Sequence, residues 1–253
     1  MEYAAGKLCG QVAIVTGAAQ GMGAASAGAL AREGVRVVVC DLDGEKAAQV
    51  AREIDPSGER TLGSQTDVAR EEEVEALVAA TLERFGKVDI LVNNAGVLRS
   101  TRVEEISAAE WDLVLDANLK GTFLCSRAVL ANMKANKYGR IVNMSSSAGR
   151  SVSTLGGAHY TTAKAGVLGF TRALAKEMAP FGITANSICP GLIDTEMVRE
   201  NCSPERLRAY EESFPISRLG TRDEVARLVL FLVADAPYIT GAAFDINGGD
   251  LMI

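Results

Sequence analysis

Two kinds of apolar pattern alternate along the chain. Short, nearly unbroken runs of aliphatic and β-branched residues at 11–15, 35–40, 88–92, 139–147, 183–189 and 242–246 are bounded by Gly, Asp, Asn or Pro. Such runs predict buried strands, and a less obvious one is expected at 60–65. Between them lie longer stretches of helical character. An alanine-rich one ends at Gly34, another is broken by Asp55-Pro-Ser-Gly58, and a charged amphipathic one covers 70–85. Ser107-Ala-Ala-Glu110 and Thr221-Arg-Asp-Glu224 read as capping boxes, the first opening a helix through Met133 and the second one to Ala234. The run 159–181 is a further helix. Residues 191–220 are the least regular and carry both charge signs; Ser203-Pro204 there suits an N-cap and first helical residue. Alternation over the whole length predicts one α/β domain across 1–253, a doubly wound parallel sheet with helices on both faces.

The first strand runs into Thr16-Gly-Ala-Ala-Gln-Gly-Met-Gly23 and then a helix. Strand, glycine turn and helix make a Rossmann-like phosphate cradle. Gly17, Gln20, Gly21, Met22 and Gly23 would let backbone approach a pyrophosphate at the helix N-terminus. Asp41, closing the second strand, suits hydrogen bonding to an adenosine ribose and would repel a 2′-phosphate. Asp41 or Asp43 would equally suit a turn or helix cap. Asp67-Val68 is expected near an adenine ring, and Asn94, Ala95 and Gly96 against the ligand. The turn Ala18-Ala19-Gln20 and the stretch Asp41-Leu-Asp43 hold no base, so NAD(H) is expected over NADP(H).

Tyr160 and Lys164 stand four residues apart, on one face of the 159–181 helix. At about 4 Å and an effective dielectric of ~20 the pair interaction is roughly 4 kcal/mol, enough to draw a phenol towards working pH. Asn118 is a mildly unfavourable residue in mid-helix, which calls for a reason beyond propensity.

Composition narrows the partners. The net charge of −6 and pI near 5.1 give no reason to expect nucleic acid. No apolar run is long enough to span a bilayer, and residues 1–11 lack the pattern of a secretory leader. Five cysteines, an odd number without a Cys-x-x-Cys pair, fit a reduced cytoplasmic protein. With one histidine, no metal site is expected.

Taken in order, Thr16-Gly-x-x-x-Gly-x-Gly23, Asn93-Asn-Ala-Gly96, Asn118, the serines 145–147, Tyr160-x-x-x-Lys164 and Pro190-Gly191 resemble the short-chain dehydrogenase/reductase family over nearly the whole chain. The resemblance implies a tetrad of Asn118, a serine, Tyr160 and Lys164 interconverting a carbonyl and an alcohol. Tyr160 would move the proton, the serine hold the oxygen, and Lys164 depress the tyrosine and bind the nicotinamide ribose. Asn118 would hold a water linking Lys164 to solvent. Strand register from Arg140 favours Ser146, while the commoner spacing back from Tyr160 favours Ser147. A loop absorbs an extra residue more readily than a strand slips, so Ser146 is chosen. The family also suggests Pro190, Gly191, Ile193 and Thr195 near the nicotinamide, although Thr195 equally reads as a helix start. Residues 191–220 would form the substrate lid.

The substrate expected first is a small secondary alcohol or its ketone, with 3-oxoacyl-[acyl-carrier-protein] reductase as the alternative and an inactive dinucleotide-binding scaffold behind both. Carrier docking calls for a basic patch at the site mouth; Lys134, Lys137 and Arg140 would supply one edge, but Phe181 stands where a base would help. Small residues along the 159–181 helix and the apolar 225–234 helix suggest a homotetramer, as in the family.

Overall fold

In a computed structural model, which describes residues 6–253, Val12, Ile14 and Val38 point to one side of the central strands. Ala13, Val15, Val37 and Val39 point to the other, and all seven side chains are fully buried. That two-sided burial is why these strands read as continuous apolar runs. Among the described residues the strands are β1 (Val12–Thr16), β2 (Arg36–Asp41), β3 (Thr61–Gln65), β4 (Ile90–Asn93), β5 (Gly139–Met144), β6 (Ile183–Pro190) and β7 (Ala243–Ile246). They pair in parallel in the order β3-β2-β1-β4-β5-β6-β7. Helices α1 (Gly21–Arg32), α2 (Gly44–Ile54) and α9 (Arg222–Ala234) cover one face. Helices α3 (Glu71–Phe85), α5 (Gly121–Asn136) and α6 (Ala158–Met178) cover the other. The expected doubly wound sheet is therefore present. No helix among the described residues is long and apolar enough to cross a membrane. The expected lack of a leader concerns in part residues 1–5, outside those described.

The second long helix differs from expectation. It opens with α4 (Ala108–Leu115), passes through a π-helical turn at Asp116–Lys120, and resumes as α5. Asn118 explains the interruption. Its side-chain amide donates to the Val114 carbonyl at 2.9 Å, the acceptor its own backbone N–H would take in an unbroken α-helix. Only half of the expected capping box forms at Ser107: its hydroxyl accepts from Glu110 N, but the Glu110 carboxylate turns elsewhere. At Thr221 both arms of the box are made. Between β6 and α9 the chain forms short helices α7 (Glu196–Glu200) and α8 (Pro204–Ser213), the latter capped by Ser203 as its sequence predicts.

The basic patch expected at the site mouth lies elsewhere. The Lys134 ammonium sits 4.7 Å over the Phe181 ring and the Arg140 guanidinium 4.3 Å over Tyr138. These residues flank the amino ends of β5 and β6, whose first paired residues are Gly139 and Ile183. The serines leave the other end of β5, roughly 20 Å away at ~3.3 Å per residue.

Candidate active site

The chain turns one way from β1 to β2 and β3, then returns to β4 on the other side of β1. In an open α/β sheet, ligands bind outside the carboxyl ends of the strands at such a switch point. A cleft of about 350 Å³ lies there, and Gly17, Gln20, Gly21, Met22, Asp41, Asp67, Val68, Asn94, Ala95, Gly96 and Thr195 all line it. The first turn of α1 carries no acidic residue and its N-cap, Gln20, makes no side-chain cap. Its backbone N–H groups thus face the cleft as donors for an anion, which fits the pyrophosphate of a dinucleotide. Gly23 has a different task from the one expected. It faces inward, where a Cβ would lie 2.2 Å from the Gly17 carbonyl oxygen and 2.6 Å from Asn94 Nδ2. It closes the turn against β4 rather than touching a phosphate.

Asp41 accepts from the backbone N–H of Ala19 at 3.0 Å and from that of Asp43 at 3.1 Å. It therefore ties the glycine turn to the end of β2 and presents its remaining lone pairs to the cleft. The cap of α2 is Asp43, which accepts from Lys46 N. Lys46, a cation absent from the sequence reading, also lines the cleft and pairs with Asp43 at 3.3 Å.

The serines follow β5 in extended backbone that places them on alternate sides. Ser145 is buried and donates to the Lys164 carbonyl at 2.8 Å, facing α6. Ser146 faces the opposite way, into the cavity that Tyr160 also lines, donating to the Pro190 carbonyl at 3.5 Å and accepting from Ala148 N at 3.1 Å. Ser147 starts the short 3₁₀ turn Ser147–Gly149. Lys164 and Asn118 are buried behind Tyr160. The Lys164 ammonium donates to the Met144 carbonyl at 2.9 Å and lies 5.7 Å from the Tyr160 ring centroid. Asn118 Nδ2 donates to the carbonyls of Val97 and Val114, while its Oδ1 is buried with no protein partner. Gly96 lets the two approach, since a Cβ there would meet Asn118 Oδ1 at 2.4 Å and Lys164 Nζ at 3.5 Å.

The electrostatics correct one expectation. Burial pushes the Tyr160 phenol up to about 12, against the pull of the neighbouring Ser146 hydroxyl. Burial likewise brings the Lys164 ammonium down to about 8. At both groups loss of water is the largest cause of the shift, so it overrides the charge pairing expected from helical spacing. A phenol held neutral is a proton donor.

A second, smaller cavity of about 70 Å³ adjoins Ser146 and Tyr160. Pro190, Gly191, Ile193 and Thr195 line it, so the structure brings every expected site residue to the two clefts or directly behind them. Thr195 also caps α7 by accepting from Val198 N at 3.4 Å, the helix start its sequence allows, while lining both clefts.

A family model described as enoyl-(acyl carrier protein) reductase matches residues 17–250. The chain belongs to the short-chain dehydrogenase/reductase family. A 3-oxoacyl-[acyl-carrier-protein] reductase of Synechocystis is 43% identical over 248 residues, 97% of this chain and 98% of that protein. The (2S)-[(R)-hydroxy(phenyl)methyl]succinyl-CoA dehydrogenase subunit BbsD of Thauera aromatica is 43% identical over 244 residues, 94% and 96% of the two chains. The crystal structure of gox2181 superposes with a TM-score of 0.91 at 37% identity, covering 96% of this chain and 97% of its own. As a short-chain dehydrogenase/reductase the protein is an oxidoreductase acting on CH–OH groups with a nicotinamide dinucleotide.

Several wall residues of this short-chain dehydrogenase/reductase were not anticipated. Leu98, Leu155, Leu192, Met197 and Val198 form the apolar side of the smaller cavity. Leu98, Leu155 and Val198 are buried, with Tyr160, Tyr210 and Leu207 packed against them, so α7 and α8 share a small core with the site. Their only sequence signal is scattered apolar residues in an irregular region. Lys46 carried a clearer one, since the first turn of the helix after β2 borders the same cleft as Asp41.

Proposed function

We propose that the protein reduces the 3-oxo group of an acyl thioester, as a 3-oxoacyl-[acyl-carrier-protein] reductase or a close relative of one. The observation that carries this is the pair of 43%-identical relatives, each matched over nearly its full length. One is named for an acyl group on a carrier protein and the other for an acyl group on coenzyme A. The apolar wall of the smaller cavity supports it, because an acyl chain needs such a surface beside the proton donor. This reading replaces the small free alcohol or ketone expected first. Lys134, Lys137 and Arg140, away from the mouth, give no support to a carrier protein in particular, so the reading rests on the acyl thioester that the two relatives share.

A dinucleotide held along Gly17, Gly21 and Asp41 would supply the hydride in reduction and take it up in oxidation. The chain's own groups do the rest. Tyr160 donates a proton to the carbonyl oxygen, and Ser146 holds the same oxygen by hydrogen bond. Lys164 and Asn118 stand behind the phenol, the orphaned Asn118 Oδ1 being the acceptor for a water that leads the returning proton to Lys164. Asp41 binds the adenosine ribose of NAD(H), the residues of 191–220 close over the substrate, and the protein works as a cytoplasmic homotetramer. Exposed Leu113, Phe123, Phe231 and Tyr238 supply apolar surface for that assembly.

The test is a turnover screen with NADH and NADPH against acetoacetyl-CoA, a 3-oxoacyl carrier protein and small ketones. Thioesters are expected to exceed ketones in kcat/KM by at least about a hundredfold, a difference of roughly 2.7 kcal/mol in transition-state binding. Equal efficiency on a small ketone would return the assignment to the secondary-alcohol reading.

A further inference from the structure

The chain's single histidine, His159, is fully buried beside Tyr160 in the first turn of α6. That turn begins with an unmet requirement. The first backbone N–H groups of a helix have no partner inside it, and a side chain at the N-cap commonly accepts from one of them. Here the N-cap is Gly157, which makes no side-chain cap. None would fit, because a Cβ there would lie 2.4 Å from the Thr101 carbonyl oxygen and 2.9 Å from His159 Cε1.

His159 supplies the missing acceptor from inside the helix. Its Nδ1 accepts the backbone N–H of Tyr160 at 2.9 Å. With Nδ1 accepting, the ring proton sits on Nε2, which donates to Glu110 Oε1 at 2.9 Å. Hydrogen bonds from Thr101 and then His159 hold the Glu110 carboxyl below its ordinary range, so it stays an acceptor. This is where the Glu110 arm of the half-made capping box has gone. The Gly157 N–H adds a bond to the Arg99 carbonyl at 2.7 Å, one residue from Leu98 in the cavity wall. One imidazole ring thus joins α4, through Glu110, to the backbone of the residue that carries the phenol.

We propose that His159 is a positioning residue for Tyr160, bracing the first turn of α6 against Glu110 of α4 so that the phenol keeps its place beside Ser146. This rests on the reading of Tyr160 as the proton donor. The ring is fully buried and handles neither substrate nor the transferred proton.

Two substitutions separate the two bonds. His159→Asn keeps an oxygen near the position of Nδ1 and loses the reach to Glu110. His159→Gln keeps an amide N–H near the position of Nε2 and loses the acceptor for Tyr160. Amide exchange of Tyr160, which needs no turnover, is expected to quicken at least about tenfold in His159→Gln and to stay within about twofold of wild type in His159→Asn. With the thioester that wild type turns over, His159→Gln is expected to lower kcat by about 10- to 100-fold, the scale of a misplacement near 1 Å. KM and the dinucleotide Kd should stay within about twofold. Unchanged Tyr160 exchange in His159→Gln, or a kcat loss matched by KM and Kd, overturns the proposal. If His159→Gln does not fold, Glu110→Ala is read the same way: a lower kcat at constant KM and Kd supports the brace, and an unchanged kcat overturns it. If wild type reduces no thioester, the substrate reading fails while the exchange measurement still decides this one.

Discussion

The Asp41 carboxylate holds the N–H of Ala19 at 3.0 Å, so the residue proposed to meet a ribose also holds the glycine turn in shape. A 2′-phosphate brought to this corner meets Asp41 and Asp43, with Lys46 already paired to the latter. NADH is therefore expected to exceed NADPH in kcat/KM by at least about tenfold, which about 1.4 kcal/mol of mismatch supplies. Asp41→Ala should lower efficiency with NADH and shrink the ratio, measured by initial rates with both cofactors. A wild type that prefers NADPH would show Lys46 outweighing the carboxylates.

Ser146 and Ser147 are separated by their directions from β5. Ser146→Ala is expected to lower kcat by roughly 10²- to 10³-fold, the usual effect of removing one donor to a reacting oxygen. Ser147→Ala should change it by less than about threefold, since its backbone already turns away into the 3₁₀ segment. Tyr160→Phe serves as the reference, keeping dinucleotide binding while losing several orders of magnitude in turnover. Activity lost only in the Ser147 variant would mean the loop, not the strand, sets the register.

Gly23→Ala probes the turn without touching the ligand. Its Cβ would lie 2.2 Å from the Gly17 carbonyl oxygen, a backbone atom that has no way to step aside. The variant is expected to lose at least about 1–3 kcal/mol of stability and most of its NADH affinity. Urea melts and NADH fluorescence titration measure the two effects.

Lys164 makes stability depend on pH. Its folded-state value is brought down to about 8 from 10.5, so the charged form is disfavoured in the fold. The contribution is present above 10.5 and is lost as pH falls through 8, on the order of 3 kcal/mol in all. Tyr160, raised to about 12, acts oppositely, its contribution present below 10 and lost as pH rises through 12. The lysine is thus read cleanly between pH 8 and 10. Wild type should gain stability over that window relative to Lys164→Met, measured by urea midpoints. A constant difference between the two proteins would show that the ammonium is not buried at this cost.

What the sequence revealed and what it hid divide along physical lines. Val12–Thr16 and Arg36–Asp41 were legible because two-sided burial leaves no polar positions. The positions of Gly17, Asp41, Asn94 and Tyr160 were legible because strand ends and helical spacing fix where backbone goes. The direction of the Tyr160 shift was not. It depends on how much water the folded chain removes, and helical spacing says nothing of that. The basic cluster of Lys134, Lys137 and Arg140 was misplaced because closeness along the chain to the serines hides the length of β5 between them. The bond from His159 to Glu110 was not legible, since Glu110 comes from a separate segment.

The π-helical turn at Asp116–Lys120 gives the site an unusual sensitivity to chain length. An α-helix advances about 100° per residue, so deleting one residue within 116–120 would let α4 and α5 fuse into one regular helix. Helix content and the apolar contacts of α5 would survive such a deletion. The amide now aimed at the Val97 carbonyl, and its orphaned oxygen beside Gly96, would swing out of the site. In this protein a shorter chain with a better helix would have nothing standing behind its lysine.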